Sequence, residues 1–268
     1  MNAWRTGLGR GALALLLATA LPAAQADGGD GDSLRIMGAI DARSADRIIA
    51  FVDGGGRRIV IDSEGGDAEA GMRIAERLAG AEVEVVVNRY CFSSCANYVF
   101  VPARSKALNE GAVLGFHGGI PDTRHIRLEN LAPETRGLFE MMSRNYERQA
   151  ALFGPLGVDT ALFGGAGKLA ARVSPTPVYS LDCAGKLRTF AVEKAAKRAL
   201  ADCMQRRRKF EFTIGNGLDT TVYFPSRETL ERYGVRGIGA YPYPADQRAM
   251  RALAAGMGFK LELVGDVE

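Results

Sequence analysis

Histidine is the scarcest chemically useful residue in this chain: only His117 and His125 occur among 268 residues. The four cysteines lack the paired short spacings of a zinc ligand set, so no structural metal is expected. An excess of charge is missing too. Thirty-four Lys and Arg stand against 31 Asp and Glu, a balance that gives no electrostatic case for nucleic acid or an anionic membrane as partner. Beyond the first 26 residues no apolar run reaches the roughly 18 residues needed to span a bilayer. Internal repeats and low-complexity tracts are absent. What is abundant is apolar surface, 47% of residues, which excludes a disordered chain.

The first 26 residues read as an export signal: Arg5 and Arg10, an apolar run from Gly11 to Ala24, and the small-residue site Ala24-Gln25-Ala26. A mature chain starting at Asp27 keeps 242 residues, enough for one sizeable core. Its formal charge is 32 basic against 31 acidic, or +1. A periplasmic or secreted protein meets oxidising conditions, where an even cysteine count favours disulfides. Three connectivities are open, and the expected pairs are Cys91 with Cys95 and Cys183 with Cys203.

Strand-like and helix-like stretches alternate from Leu34 onward. A strand over 34–40 precedes a helix over 44–52, and Gly54-Gly55-Gly56 separates that helix from the buried strand 58–62. After the turn Ser63-Glu64-Gly65-Gly66 come a helix over 67–78 and a strand over 83–87, then a turn through 88–93 and a helix over 94–102. A short strand over 112–116 ends at His117, and an amphipathic helix is expected over 132–153. Such alternation predicts an α/β layered domain with parallel strands, whose sites lie at the strands' carboxyl ends. Pro175 and Pro177 mark a boundary, so 27–175 is read as the core and 176–209 as a helical insertion bracketed by Cys183 and Cys203. Residues 210–268 then close the same domain, with strands over 221–224 and 259–264 and a helix over 226–233 ended by Gly234.

Three features converge on the strand ends. Gly65 and Gly66 follow a buried strand and open a helix, so their amides can face a crevice unobstructed, although a tight turn alone would also call for glycine. Ser94 starts a helix after the next strand, where a hydroxyl is exposed and the Cys95 amide faces developing negative charge; an N-cap serine, at Ser94 or Ser93, would look the same. His117 ends the third strand, 23 residues beyond Ser94, and imidazole is suited to take a hydroxyl proton near neutral pH.

These residues resemble the ClpP/crotonase-like superfamily, and specifically its exported, periplasmic ClpP-like serine peptidases. The family's S-P-G-G, three residues, A-G-M motif appears as Ser63-Glu64-Gly65-Gly66 through Ala70-Gly71-Met72, with only the proline replaced. The nucleophile segment A-A-S-M-G falls on Ser93, Ser94, Cys95 and Ala96, and the I-H strand end on Phe116-His117. Phe224-Pro225-Ser226 through Glu231-Arg232-Tyr233-Gly234-Val235 resembles the closing S-x-x-E-A-x-E-Y-G-L segment. The resemblance implies a spiral of β-β-α units and a homo-oligomer. It also implies peptide or ester cleavage through an acyl-enzyme, with Ser94 as nucleophile, His117 as base and the Gly66 and Cys95 amides as oxyanion hole. Such a site takes a peptide or protein substrate and water, and needs no cofactor. A catalytically inactive binding scaffold of the same fold is the alternative.

The acid that would orient His117 departs from the pattern. Asp219, followed by Thr220, matches the family's aspartate-threonine pair and is preferred to Asp159; either would otherwise be a surface carboxylate. A serine-lysine dyad would nominate Lys106 or Lys168, which His117 makes unnecessary. Cys91 and Cys95 straddle Ser94, and a disulfide between them would hold the nucleophile turn rigid; two buried apolar thiols, or Cys95 itself as nucleophile, are the other readings. His125, beside Arg124, is assigned no role, and Arg206 to Lys209 reads as a helix C-terminus complementing its dipole.

Overall fold

The computed structural model describes residues 32–124, 126–131, 133–164, 178–190, 192–206, 208–215, 221–258 and 261–266. The expected export signal, Lys168 and Asp219 lie outside the described residues. Strand β1 (Ser33–Met37) leads into helix α1 (Ala42–Asp53), whose start is set by a capping box: the Asp41 carboxylate accepts from Ser44 N while Ser44 Oγ accepts from Asp41 N. Strand β2 (Arg58–Ser63) and helix α2 (Ala68–Leu78), capped by Asp67, repeat the alternation. Strand β3 (Glu84–Phe92), β4 (Ser105–Leu108) and β5 (Val113–Gly115) complete a five-stranded parallel sheet in the order β1-β2-β3-β4, with β5 also on β3.

Parallel strands buried on both faces should be rich in branched apolar residues, and they are. Ile59, Ile61, Val85 and Val87 are fully buried, each stabilising the fold by roughly 1.5–3 kcal/mol relative to exposure. Helix α1 lays Ala45, Ile48 and Val52 on this sheet, and α2 adds Met72, Ile74 and Leu78.

Strand β3 runs to Phe92 and does not turn away after Val87, because its far half pairs with β5: Tyr90 faces Val113 and Phe92 faces Gly115. The chain then enters a π-helical turn, Ala96–Phe100. Helix α3 (Pro133–Phe153) follows β5, and Phe153, Phe163, Phe116 and Tyr98 form one aromatic cluster.

The segment expected as a helical insertion is helical only in part. Strands β6 (Val178–Cys183), β7 (Leu187–Phe190) and β8 (Phe210–Gly215) form a separate antiparallel sheet, β7-β6-β8, beside helix α4 (Glu193–Gln205). The β8 pairing carries this sheet beyond residue 209. The closing segment holds β9 (Thr221–Phe224), α5 (Arg227–Arg232), α6 (Gln247–Gly256) and β10 (Glu262–Gly265), with β10 parallel to β9. Helix α6 has no counterpart in the sequence reading. Its signal was present: Asp246 caps Ala249 N, and Met250 and Ala254 recur at helical spacing on the buried face.

Candidate active site

The turn between β2 and α2 is built on glycine out of necessity. Gly65 has φ +93 and Gly66 φ +148. A Cβ on Gly66 would meet Ile40 O at 2.3 Å, and one on Gly65 would meet Phe92 O at 2.6 Å and Ser93 Cβ at 2.7 Å. Two chain crossings are packed against this turn, so it needs both the positive φ and the missing side chain.

The second crossing is the Ser93–Ser94 turn. Ser93 adopts φ +55 and donates its amide to Gly115 O, while its carbonyl accepts from Asn97 N to open the helical turn. Ser94 therefore lies in the first turn, where backbone N–H groups have no partner within the helix. Cys91 at the end of β3 and Cys95 after Ser94 form a disulfide with Cα atoms 5.3 Å apart, and both are fully buried. Cys95 is thus no free thiol. The second disulfide joins Cys183 to Cys203.

A cavity of about 300 Å³ opens over this turn, and its lining includes Gly66, Ser93, Ser94 and His117. Three of the residues that the sequence nominated meet here. Ser94 is only 3% exposed, and its Oγ makes no hydrogen bond. Proton transfer to His117 requires the two side chains to close to roughly 2.6–3.2 Å, a contact that often tightens only with substrate.

Asn97 escaped the sequence reading. It lies one helical turn beyond Ser94, a spacing that puts both on one face. Its Nδ2 donates to Gly118 O at 2.9 Å, tying the Ser94 turn to the residue after His117 and fixing which amide atom is oxygen. Asn97 Oδ1 is then buried in the same lining without a partner. Ile120, Pro121, Met142 and Asn145 close the far wall, with Met142 and Asn145 one turn apart on α3.

The alternative candidates lie elsewhere. Lys106 is 2% exposed, yet it is absent from this lining and its Nζ donates to Val101 O and Arg236 O. Asp159 caps the 3-10 turn Thr160–Leu162 by accepting from Ala161 N, and is also absent from the lining. Among the described residues no group of three or more His, Cys, Asp or Glu could hold a metal ion, and no helix is long and apolar enough to cross a membrane.

No protein-family model matches the chain, and no curated protein matches it. Among solved structures it is similar to a ClpP1 mutant from Listeria monocytogenes, at 17% identity over 46% of this chain and 73% of that one, with a TM-score of 0.33. The chemistry of the site rests on its own side chains.

Proposed function

We propose that this chain is an exported serine hydrolase of ClpP/crotonase-like fold, acting on peptide bonds. The observation that carries the reading is one cavity lined by Gly66, Ser94 and His117, residues from three separate strand-to-helix or strand-to-loop junctions. In the proposed reaction His117 takes the Ser94 hydroxyl proton as Oγ attacks the carbonyl carbon. The Gly66 and Cys95 amides hold the tetrahedral oxyanion, and His117 returns the proton to the leaving amine. Water, deprotonated by His117, then attacks the acyl carbon, and as the ester bond breaks His117 returns that proton to Ser94 Oγ, releasing the acid.

Asp219 is proposed as the carboxylate that orients His117. Tyr223 exchanges both backbone hydrogen bonds with Phe116, so the chain ahead of Tyr223 runs toward the residues after Phe116. Asp219 is two residues ahead of Thr221 in the sequence. Two disulfides, at the expected positions, are consistent with an oxidising compartment. A homo-oligomer of the exported chain completes this reading.

A second reading, a binding scaffold without catalysis, is favoured by one observation: Ser94 Oγ makes no hydrogen bond to His117. Fluorophosphonate labelling separates the two. Stoichiometric labelling read by intact mass, abolished in both Ser94→Ala and His117→Ala, establishes the activated serine. Folded, oxidised protein that takes no label overturns the hydrolase.

A further inference from the structure

The near balance of charge over the whole chain conceals an uneven distribution. Residues 178–215 carry nine Lys and Arg against four Asp and Glu, a local +5. The Cys183–Cys203 disulfide fastens the C-terminal end of α4 to the tip of the β6–β7 hairpin. Two basic runs far apart in sequence are thereby brought to one end of the unit. Ala184 N donates to Lys209 O, and Cys183 pairs with Phe210 across the sheet, so Lys209-Phe210 borders the β6–β7 turn that leads into Lys186, with β6 between Phe210 and Leu187-Arg188.

All six of these side chains are exposed, and none of the four basic ones makes an ion pair among the described residues. Leu187 is 68% exposed and Phe210 45%. They occupy adjacent rows of the sheet, Leu187 opposite Asp182 and Phe210 opposite Cys183, so they project from opposite faces of the same tip. Of the nearby acids, Asp182 accepts from Gly185 N inside the hairpin turn, which leaves Glu211 as the exposed carboxylate on β8.

We propose that this tip docks on an anionic lipid surface, with Leu187 and Phe210 entering the boundary between headgroups and acyl chains and Lys186, Arg188, Arg208 and Lys209 facing the phosphates. Two exposed apolar side chains at a tip that also carries four exposed basic ones suit that interface, where burial and charge attraction act together. A soluble polyanion would account for the lysines and arginines but give the two apolar side chains nothing to enter.

The test is co-sedimentation of the oxidised chain from Asp27, which contains every described residue, with vesicles of phosphatidylcholine alone or with 30 mol% phosphatidylglycerol, a composition of the order that gives a strong surface potential. Binding is expected only with the anionic vesicles, and it falls as salt screens the attraction. Lys186→Gln with Arg188→Gln lowers the partition about 25-fold, roughly fivefold per charge, and Leu187→Ser with Phe210→Ser lowers it on the order of tenfold per side chain. Arg43→Gln on α1 leaves it unchanged. Equal binding to both vesicles, full binding by either tip pair, or an equal loss in Arg43→Gln overturns the proposal. So does retention on heparin without vesicle binding, or pelleting without vesicles through self-association. Because Ser94→Ala is expected to bind like the parent, the result is independent of whether the hydrolase reading holds.

Discussion

A lysine amine buried beside two carbonyls tells more about this molecule than its charge suggests. Burial pushes Lys106 from its ordinary 10.5 down to about 7. A neutral amine has two N–H groups, and Lys106 donates to two acceptors, Val101 O and Arg236 O. The folded value lies below the unfolded one, so the unfolded chain binds more protons between them and stability rises with pH across that window. The stabilisation is complete above the unfolded value and is lost as pH falls through about 7. Thermal unfolding from pH 7 to 9.5 is expected to show this rise, and Lys106→Met to flatten it. Burial of Tyr98 and Tyr241 raises their pKa, which is why the comparison stops short of tyrosine titration.

The same scale governs the glycine turn. Gly65→Ala would press a methyl group on Phe92 O and on the Ser93–Ser94 peptide, where 3.0 Å separates the built Cβ from Ser94 N. Fluorophosphonate labelling is expected to fall at least tenfold in Gly65→Ala, while Gly80→Ala, where a Cβ meets nothing within 4 Å, keeps its rate. Asn97→Ala cuts the tie to Gly118 O and removes the orphaned acceptor from the cavity wall. A slower label with unchanged stoichiometry is the expected readout, since Asn97 positions the turn without reacting.

At the scale of elements, the Ser93–Ser94 turn is held by three devices of different origin: the disulfide, the Ser93 amide bond to Gly115 O, and the packing of Gly65 beneath it. The disulfide closes a loop of only about five residues, so the chain-entropy account gives it about 2 kcal/mol of stability. The Cys183–Cys203 loop of about 21 residues gives about 3 kcal/mol on the same account. Cys91→Ala with Cys95→Ala is therefore expected to cost modest stability in denaturant unfolding but to slow labelling out of proportion, because the Ser94 turn loses its clamp. Equal small losses in both would remove the positioning role. Helices α1 and α2 were legible because cap residues and apolar spacing agree within each. The apolar pattern ends strand β3 at Val87 because Asn88 and Arg89 interrupt it, and only Asp62 explains them: its buried carboxylate accepts from Asn88 Nδ2 and Arg89 N.

Across the whole molecule, the aromatic cluster joins parts that the site needs in register. Phe163 stacks on Phe116 with centroids 6.1 Å apart and meets Phe153 of α3 edge-on at 5.1 Å, while Tyr98 donates to Gln149 Oε1. His117 directly follows Phe116, so loosening this cluster reaches the site. Phe163→Ala is expected to lower stability by about 3–5 kcal/mol in denaturant unfolding, as buried aromatic truncations do. The uneven charge belongs to this scale too, since a chain-wide count averages the basic insertion against an acidic remainder.

Local chemistry determined what the sequence alone could say. Capping aspartates, glycine pairs, branched apolar runs and cysteine spacing each act within a few residues, and they marked the α/β alternation, both disulfides and the residues Gly66, Ser94 and His117. Only the tertiary structure decided that these three line one cavity, that Asn97 and Met142 share its wall, and that Lys106 belongs elsewhere. It also decided that Lys209 borders the β6–β7 turn ahead of Lys186. Those relations depend on strand pairing and a disulfide that join residues some 20 or more apart, and such contacts leave no periodic trace along the chain.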